Sequence, residues 1–342
     1  MHSQVNKPIF VVGSPRSGTS ILTWCLGQHP NLFPVPESNW MGDFAVNVAV
    51  AYQIGAARGD YSIFSAMDIR DSELFGALGQ SIDKVILQHR TDLERKRKSR
   101  TEASKLAARW LEATSISAGS KTRWVDGTPE YSLHICGLLK LFPQALFIHL
   151  IRDVQAVVRS MVNFDRVAGF KLVANEEEAY RYWIRTVSAC LVAEHAYGAN
   201  VIRRVRYSDL IDHPEPMMRS LLEFIGEPYT ARCLEPLSER INSSNVTGDF
   251  KTDDEATDPA LVEEATGLSR DLEETAQPAE VSQRAASEME AGFAQRTQYM
   301  ATLESQYQRA LQIVRELRQA KVPRSRALET ALDDPATPIS KT

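Results

Sequence analysis

At 342 residues, 43% hydrophobic and 24% charged, the chain is long enough to bury a full core and suits one large domain with appendages. Its formal net charge of -5 excludes a dedicated nucleic-acid binder, whose phosphate partner demands a dominant basic surface. Any anionic ligand must therefore be held by local groups. Cys25, Cys136, Cys190 and Cys233 lie far apart, show no paired metal spacing, and read as reduced core residues.

The opening MHSQVNKPIF has no basic region followed by an apolar stretch, and no window approaches the ~20 apolar residues of a membrane span. The reading expects no membrane span and a cytoplasmic protein. Residues 8–13, PIFVVG, form a short apolar run ending in glycine, which predicts a buried strand leading into a loop. Ile21, Leu22, Cys25 and Leu26 then recur at helical spacing, with Gly27 and Pro30 marking the end. TRWVD (122–126) is a weaker strand candidate. ALFIHLI (145–151) is a second buried strand, after which Asp153 caps a helix carrying Val154, Val157, Val158, Met161 and Val162 on one face. A third strand, 201–207, precedes a helix with Pro214 near its start and Gly226 after its end. Trp183 shares a helical stripe with Tyr180, Ile184, Val187 and Leu191, which predicts a core residue, with adenine stacking as the alternative. Strands alternating with helices predict an α/β fold, a parallel sheet flanked by helices with ligands at the carboxyl ends of the strands.

Beyond that domain, expected at 7–251, the text turns acidic and proline-punctuated over 252–285, the composition of a linker or lid. Met300, Leu303, Tyr307, Ala310, Val314 and Leu317 follow a 3-4 spacing within a predicted C-terminal helical extension, 286–321. That stripe suits a homodimer through the helix or packing onto the parent domain. The last residues, 322–342, read as a flexible tail.

The most informative stretch is GSPRSGTS, Gly13 to Ser20, between the first strand and its helix. Its glycines permit backbone angles that converge successive N–H groups, and the helix start adds its positive dipole end, so the geometry suits an oxyanion. A Walker loop would read GxxxxGK[ST]. Gly13 and Gly18 keep that spacing, but Thr19 and Ser20 follow and the lysine is absent, which weakens an ATP or GTP hydrolase reading. Arg16 instead places a permanent charge in the loop.

PRSGT after an apolar strand, together with LFIHLIRDVQAVVRSMVNF downstream, resembles the two nucleotide-binding signatures of the sulfotransferases that use 3′-phosphoadenosine 5′-phosphosulfate (PAPS). The likeness is nearer to the carbohydrate, tyrosylprotein and bacterial members than to the cytosolic steroid and phenol type. It implies a P-loop-like fold, PAPS as co-substrate and no required metal. By that resemblance the first loop (Ser14, Pro15, Arg16, Ser17, Gly18, Thr19 and Ser20) takes the 5′-phosphosulfate. Arg152 and Ser160 take the 3′-phosphate. VRYSDLIDHPEPMMRSLLEFIGEP is similar to a further family segment and places Tyr207 near that phosphate; INSSNVTGDFK resembles one that folds over the nucleotide, with Ser243, Ser244 and Lys251 as candidate contacts.

Sulfuryl transfer needs a base for the acceptor proton and a cation for charge growing on the departing phosphate. Arg16 is the candidate cation. Glu37, in HPNLFPVPESNW, resembles in position the glutamate base of tyrosylprotein and many carbohydrate sulfotransferases, with a surface or capping carboxylate as the bland alternative and His29 as competitor. Many relatives carry lysine before a threonine-proline pair, whereas here Gly127 stands in VDGTPEY, leaving Lys121, Arg123 or Arg16 to replace its charge. Asp126 and Glu130 are candidate acceptor contacts or helix-capping residues. The basic run from Arg95 to Arg100 reads as a solvated helix face or an attractor of anionic saccharide.

The expected function is therefore sulfuryl transfer from PAPS to an acceptor hydroxyl, of a carbohydrate or glycolipid. Two other classes compete: a P-loop nucleotide or small-molecule kinase, and a non-catalytic nucleotide-binding scaffold.

Overall fold

Five parallel strands form one sheet in the order β2-β3-β1-β4-β5: β1 is Ile9–Gly13, β2 Leu32–Val35, β3 Arg123–Asp126, β4 Leu146–Ile151 and β5 Ile202–Arg206. The computed structural model describes residues 7–98, 121–238 and 256–332. It divides into a unit Met1–Phe293 and a second unit Ala294–Thr342.

The helices, in chain order, are α1 (Thr19–Gly27), α2 (Met41–Ala56), α3 (Ile63–Ala66), α4 (Asp71–Lys98), α5 (Ile135–Leu141), α6 (Val154–Val162), α7 (Asp165–Ala168), α8 (Glu176–Tyr197), α9 (Tyr207–Asp212), α10 (Pro214–Ile225), α11 (Pro259–Glu274) and α12 (Gln283–Leu332). Strand alternation divides the core between the two sheet faces. Phe10 and Val12 join Trp124, Tyr131, Phe142 and Phe147 on one face. Ile9 and Val11 join Leu22, Cys25, Val125 and Ile148 on the other, closed by Leu221, Leu222 and Ile225 of α10. The four cysteines are buried and unpaired with one another.

Strand β2 has no counterpart in the sequence reading, because its Pro34 argues against a strand. An edge position reconciles the two, since proline cannot donate to a ladder on both sides. The acidic stretch read as linker or lid holds a packed helix instead. In α11, Leu261, Ala265, Ser269 and Leu272 are buried on one face, and Leu261, Ala265 and Leu272 join Val154, Val158 and Trp183 in a third core cluster. The average composition of the segment hid that stripe. The predicted tail also begins in helix, since α12 continues to Leu332.

From β1 the chain runs first to β2 and β3 on one side and later to β4 and β5 on the other. The loops that leave β1 and β4 therefore diverge at a switch point, and a crevice opens at the carboxyl ends of those two strands. Within the described residues, no helix is long and apolar enough to cross a membrane.

Candidate functional site

The crevice is a cavity of about 520 Å³, a size suited to a nucleotide-scale ligand. Its floor is the loop after β1. Arg16 adopts a left-handed backbone (φ 69) and so does Gly18 (φ 106), turning successive amides inward. A Cβ on Gly18 would lie 2.6 Å from the Tyr207 ring, so that loop packs against Tyr207 only as glycine. No side chain caps α1, leaving its first-turn amides for an anion. Ser14 and Ser17 do not line the cavity. Ser17 Oγ donates to the Ser14 carbonyl oxygen at 2.7 Å and ties the loop to itself.

Two distant arginines meet on this floor. Arg16 Nε donates to Ser160 Oγ at 3.0 Å, and Arg152 Nη1 donates to the Arg16 carbonyl oxygen at 3.2 Å. The Arg152 guanidinium also sits 4.5 Å above the Tyr207 ring. Asp153 accepts from the Ala156 amide and starts α6 immediately after Arg152, so helix capping fixes where Ser160 falls two turns later. Arg16, Arg152, Ser160 and Tyr207, drawn from three parts of the chain, thus line one cavity with Pro15, Gly18, Thr19 and Ser20.

Glu37 lines the same cavity and is not a helix cap: α2 begins at Met41, and Ser20 Oγ donates to Glu37 Oε1 at 2.8 Å. Its loop is exposed, yet the carboxylate lies against the cavity wall. Burial there pushes its pKa above the usual carboxylate range; the Ser20 hydrogen bond opposes this, the Glu130 charge adds to it, and Arg16 opposes it again. The following residue is held from below. Ser38 N donates to Thr128 Oγ1, whose own hydroxyl donates to Asp126 Oδ1 at 2.6 Å. Asp126 is fully buried, and burial raises its pKa to about 7.

The remaining candidates separate from the site. His29 is fully buried; its Nδ1 accepts from the Asn31 amide, so its Nε2 donates to the Pro228 carbonyl oxygen, and neither nitrogen is left for an acceptor proton. Burial lowers its pKa, which agrees with a neutral ring. Lys121 Nζ donates to the Gly27 carbonyl oxygen, and Arg123 pairs with Glu227, so of the three substitutes for the missing lysine only Arg16 lines the cavity. Gly127 explains the substitution, since a Cβ there would stand 2.1 Å from Thr23 Oγ1 on α1. Trp183 is buried in the core. Ser243, Ser244, Lys251 and Arg100 lie outside the described residues, as do the side chains of Arg95, Lys96, Arg97 and Lys98.

Glu130, expected as an acceptor contact or a capping residue, lines the cavity, and Arg159, Phe164 and Phe170 line it too without a signal that assigned them to the nucleotide or the reaction. A helical spacing reaches one of them, Phe164. Ala156, Ser160 and Phe164 recur at i, i+4, i+8, so the face that carries Ser160 also carries Phe164, whose ring lies under the Arg16 guanidinium at 4.7 Å. Asp153 caps α6 and Asp126 is sealed beneath Thr128, and neither is among the described lining residues.

A model described as the sulfotransferase family matches residues 8–231. Among individual relatives, protein-tyrosine sulfotransferase 1 of Danio rerio is 23% identical over 260 residues, 75% of this chain and 63% of that protein. A putative protein-tyrosine sulfotransferase of Caenorhabditis briggsae is 25% identical over 237 residues, covering 68% of this chain and 70% of its own length. The chain thus spans less than two thirds of the Danio rerio relative. Among solved structures, sulfotransferase STF1 from Mycobacterium tuberculosis H37Rv superposes with a TM-score of 0.41 at 15% identity over 77% of each chain.

Proposed function

Since the chain belongs to the sulfotransferase family, we propose that it transfers a sulfuryl group from PAPS to an acceptor hydroxyl of a carbohydrate or glycolipid, releasing 3′-phosphoadenosine 5′-phosphate. The observation that carries this reading is the presence of Arg16 and Glu37 in one cavity, with Glu37 held by Ser20 at the start of the helix that follows the Arg16 loop. A cation for the leaving group and a base for the incoming hydroxyl are then within reach of the same small reaction centre.

PAPS supplies an activated sulfuryl group on its 5′ side and a distinguishing phosphate on its 3′ side. Arg16 and the loop amides face charge on the 5′ side, where the lysine of many relatives is replaced by Gly127. Arg152, Ser160 and Tyr207 form the 3′-phosphate subsite. Glu37 accepts the acceptor proton as the new sulfur–oxygen bond forms and the bond from sulfur to the phosphate oxygen breaks. Its raised pKa strengthens it as a base near neutral pH. Ser243 and Lys251 complete the nucleotide contacts in this proposal, no metal takes part, and a cytoplasmic setting supplies the donor.

Within the same proposal, the nucleotide and acceptor contacts lie within residues 7–251, α11 completes the core beneath them, and two copies of the chain pair through α12. Leu303, Tyr307, Val314 and Leu317 keep their 3-4 spacing with exposed side chains.

Calorimetry tests the donor assignment. 3′-Phosphoadenosine 5′-phosphate should bind more tightly than AMP, and Arg152→Ala should weaken it roughly tenfold or more, the scale of one lost charge-assisted pair. Equal affinity for the two nucleotides would overturn the assignment. Tight binding without sulfate transfer to any acceptor would favour the scaffold reading.

A further inference from the structure

Among the described residues two carboxylates line the cavity, and sulfuryl transfer uses only Glu37. The other, Glu130, follows Thr128 and Pro129 on the turn after β3. Its Oε1 accepts the Tyr182 hydroxyl of α8 at 3.0 Å, and the Arg185 guanidinium lies 4.9 Å from the Tyr182 ring centroid. An ionised carboxylate offers about four acceptor positions, so the Tyr182 bond orients Glu130 without saturating it. Glu130 is near enough to Glu37 for its charge to act on it. It therefore faces the same cavity as Glu37, open to an acceptor bound there.

The aromatic part of the wall lies beyond Arg16. Phe164 sits under the Arg16 guanidinium, and Phe170 packs edge-to-face on it with centroids 5.3 Å apart. Phe170 is 60% exposed although it lines the cavity, so a large aromatic surface faces the mouth.

Charge then selects between acceptor classes. Among the described lining residues the cations are Arg16, Arg152 and Arg159. A PAPS molecule brings about four negative charges, up to two of them on the 3′-phosphate. With Glu37 and Glu130 added, the charges of the described lining residues and the donor sum to a net negative value. An acceptor bearing a carboxylate, sulfate or phosphate beside its reacting hydroxyl would enter against that field, whereas a neutral polyol supplies hydroxyl donors to both glutamates and a C–H face to the aromatic wall.

We propose that Glu130 is the acceptor-selecting residue: held by Tyr182, it accepts a second hydroxyl of an uncharged, hydroxyl-rich acceptor such as a neutral saccharide, and it rejects acceptors with an anionic group next to the reacting hydroxyl. This rests on the sulfuryl-transfer reading and narrows the acceptor class within it.

The test measures transfer of labelled sulfate from PAPS by the full chain to methyl hexopyranosides, to the matching methyl uronates, and to a tyrosine peptide with and without flanking glutamates. Transfer should be confined to the neutral pyranosides. For them Glu130→Gln should raise the acceptor KM roughly tenfold or more while affinity for 3′-phosphoadenosine 5′-phosphate stays within about threefold. Tyr182→Phe, which leaves the carboxylate but removes its support, should raise the same KM by a smaller factor. Comparable kcat/KM for uronates or glutamate-flanked peptide overturns the proposal, as does an unchanged KM in both variants or no transfer to any pyranoside by an enzyme that binds the nucleotide. Failure to bind the nucleotide removes the donor reading and this proposal together.

Discussion

Ser20 Oγ donates to Glu37 Oε1 at 2.8 Å, which ties the carboxylate to the second residue of α1. The anion loop and the candidate base are thereby set by the same helix terminus. A shift of that helix would move both, so their mutual geometry is protected against small motions of the loop carrying Glu37.

Glu37→Gln should lower turnover by about 10²-fold or more, the scale of general-base loss, with nucleotide affinity retained. Because burial raises the Glu37 pKa, wild-type kcat/KM should fall on the acid side at a pH above the ordinary carboxylate range. Ser20 lowers that pKa, so Ser20→Ala should move the acid limb to higher pH. Near-normal turnover of Glu37→Gln in a radiolabel assay would place the base elsewhere.

Gly127→Lys should not restore a lysine of the kind many relatives carry. Its Cβ would meet Thr23 Oγ1 at 2.1 Å and Thr23 Cβ at 3.1 Å, and overpacking of this sort costs about 1–3 kcal/mol. Adding Thr23→Ala removes the nearest atom and should recover part of the melting temperature. Equal melting points for the single and double variants would show that the Thr23 side chain does not limit this position.

Glu194 should govern part of the acid stability. Burial alone would raise its pKa, but the hydrogen bond with His149 Nδ1 at 2.6 Å and the paired Arg204 outweigh burial and hold it low. A carboxyl depressed in the folded state contributes stability above its unfolded pKa and loses it as pH falls through the folded value. Glu194→Gln should cost about 3–5 kcal/mol at neutral pH, as expected on breaking a buried pair, and should reduce the loss of melting temperature between pH 6 and pH 3. Parallel melting curves for variant and wild type across that range would exclude the role.

Removal of residues 299–342 tests self-association through α12. The full chain should sediment as a concentration-dependent dimer and the shortened chain as a monomer. Monomers in both cases would mean that the 3-4 stripe pairs with no second copy.

The local parts of this protein were legible in its residues. GSPRSGTS declares an anion loop because a strand, a glycine turn and a helix start are contiguous, and contiguous backbone geometry needs no tertiary information. The same holds for ALFIHLI followed by Asp153 and a period-3.6 stripe, which places Arg152 at a strand end and Ser160 two turns along. Other features depended on what lies nearby in space. Arg16 and Ser160 are 144 positions apart and share a hydrogen bond. Glu130, at the cavity wall, is held by Tyr182 on another helix 52 positions away. His29 lost its candidacy through Pro228, a partner 199 residues away. The sequence by itself determined the chemistry of the anion loop and the alternation of strands and helices, since propensity and periodicity act over neighbours. The tertiary structure alone decided which carboxylates meet the loop and how burial raises the Glu37 pKa, because desolvation and Coulomb forces depend on distances that chain order does not encode.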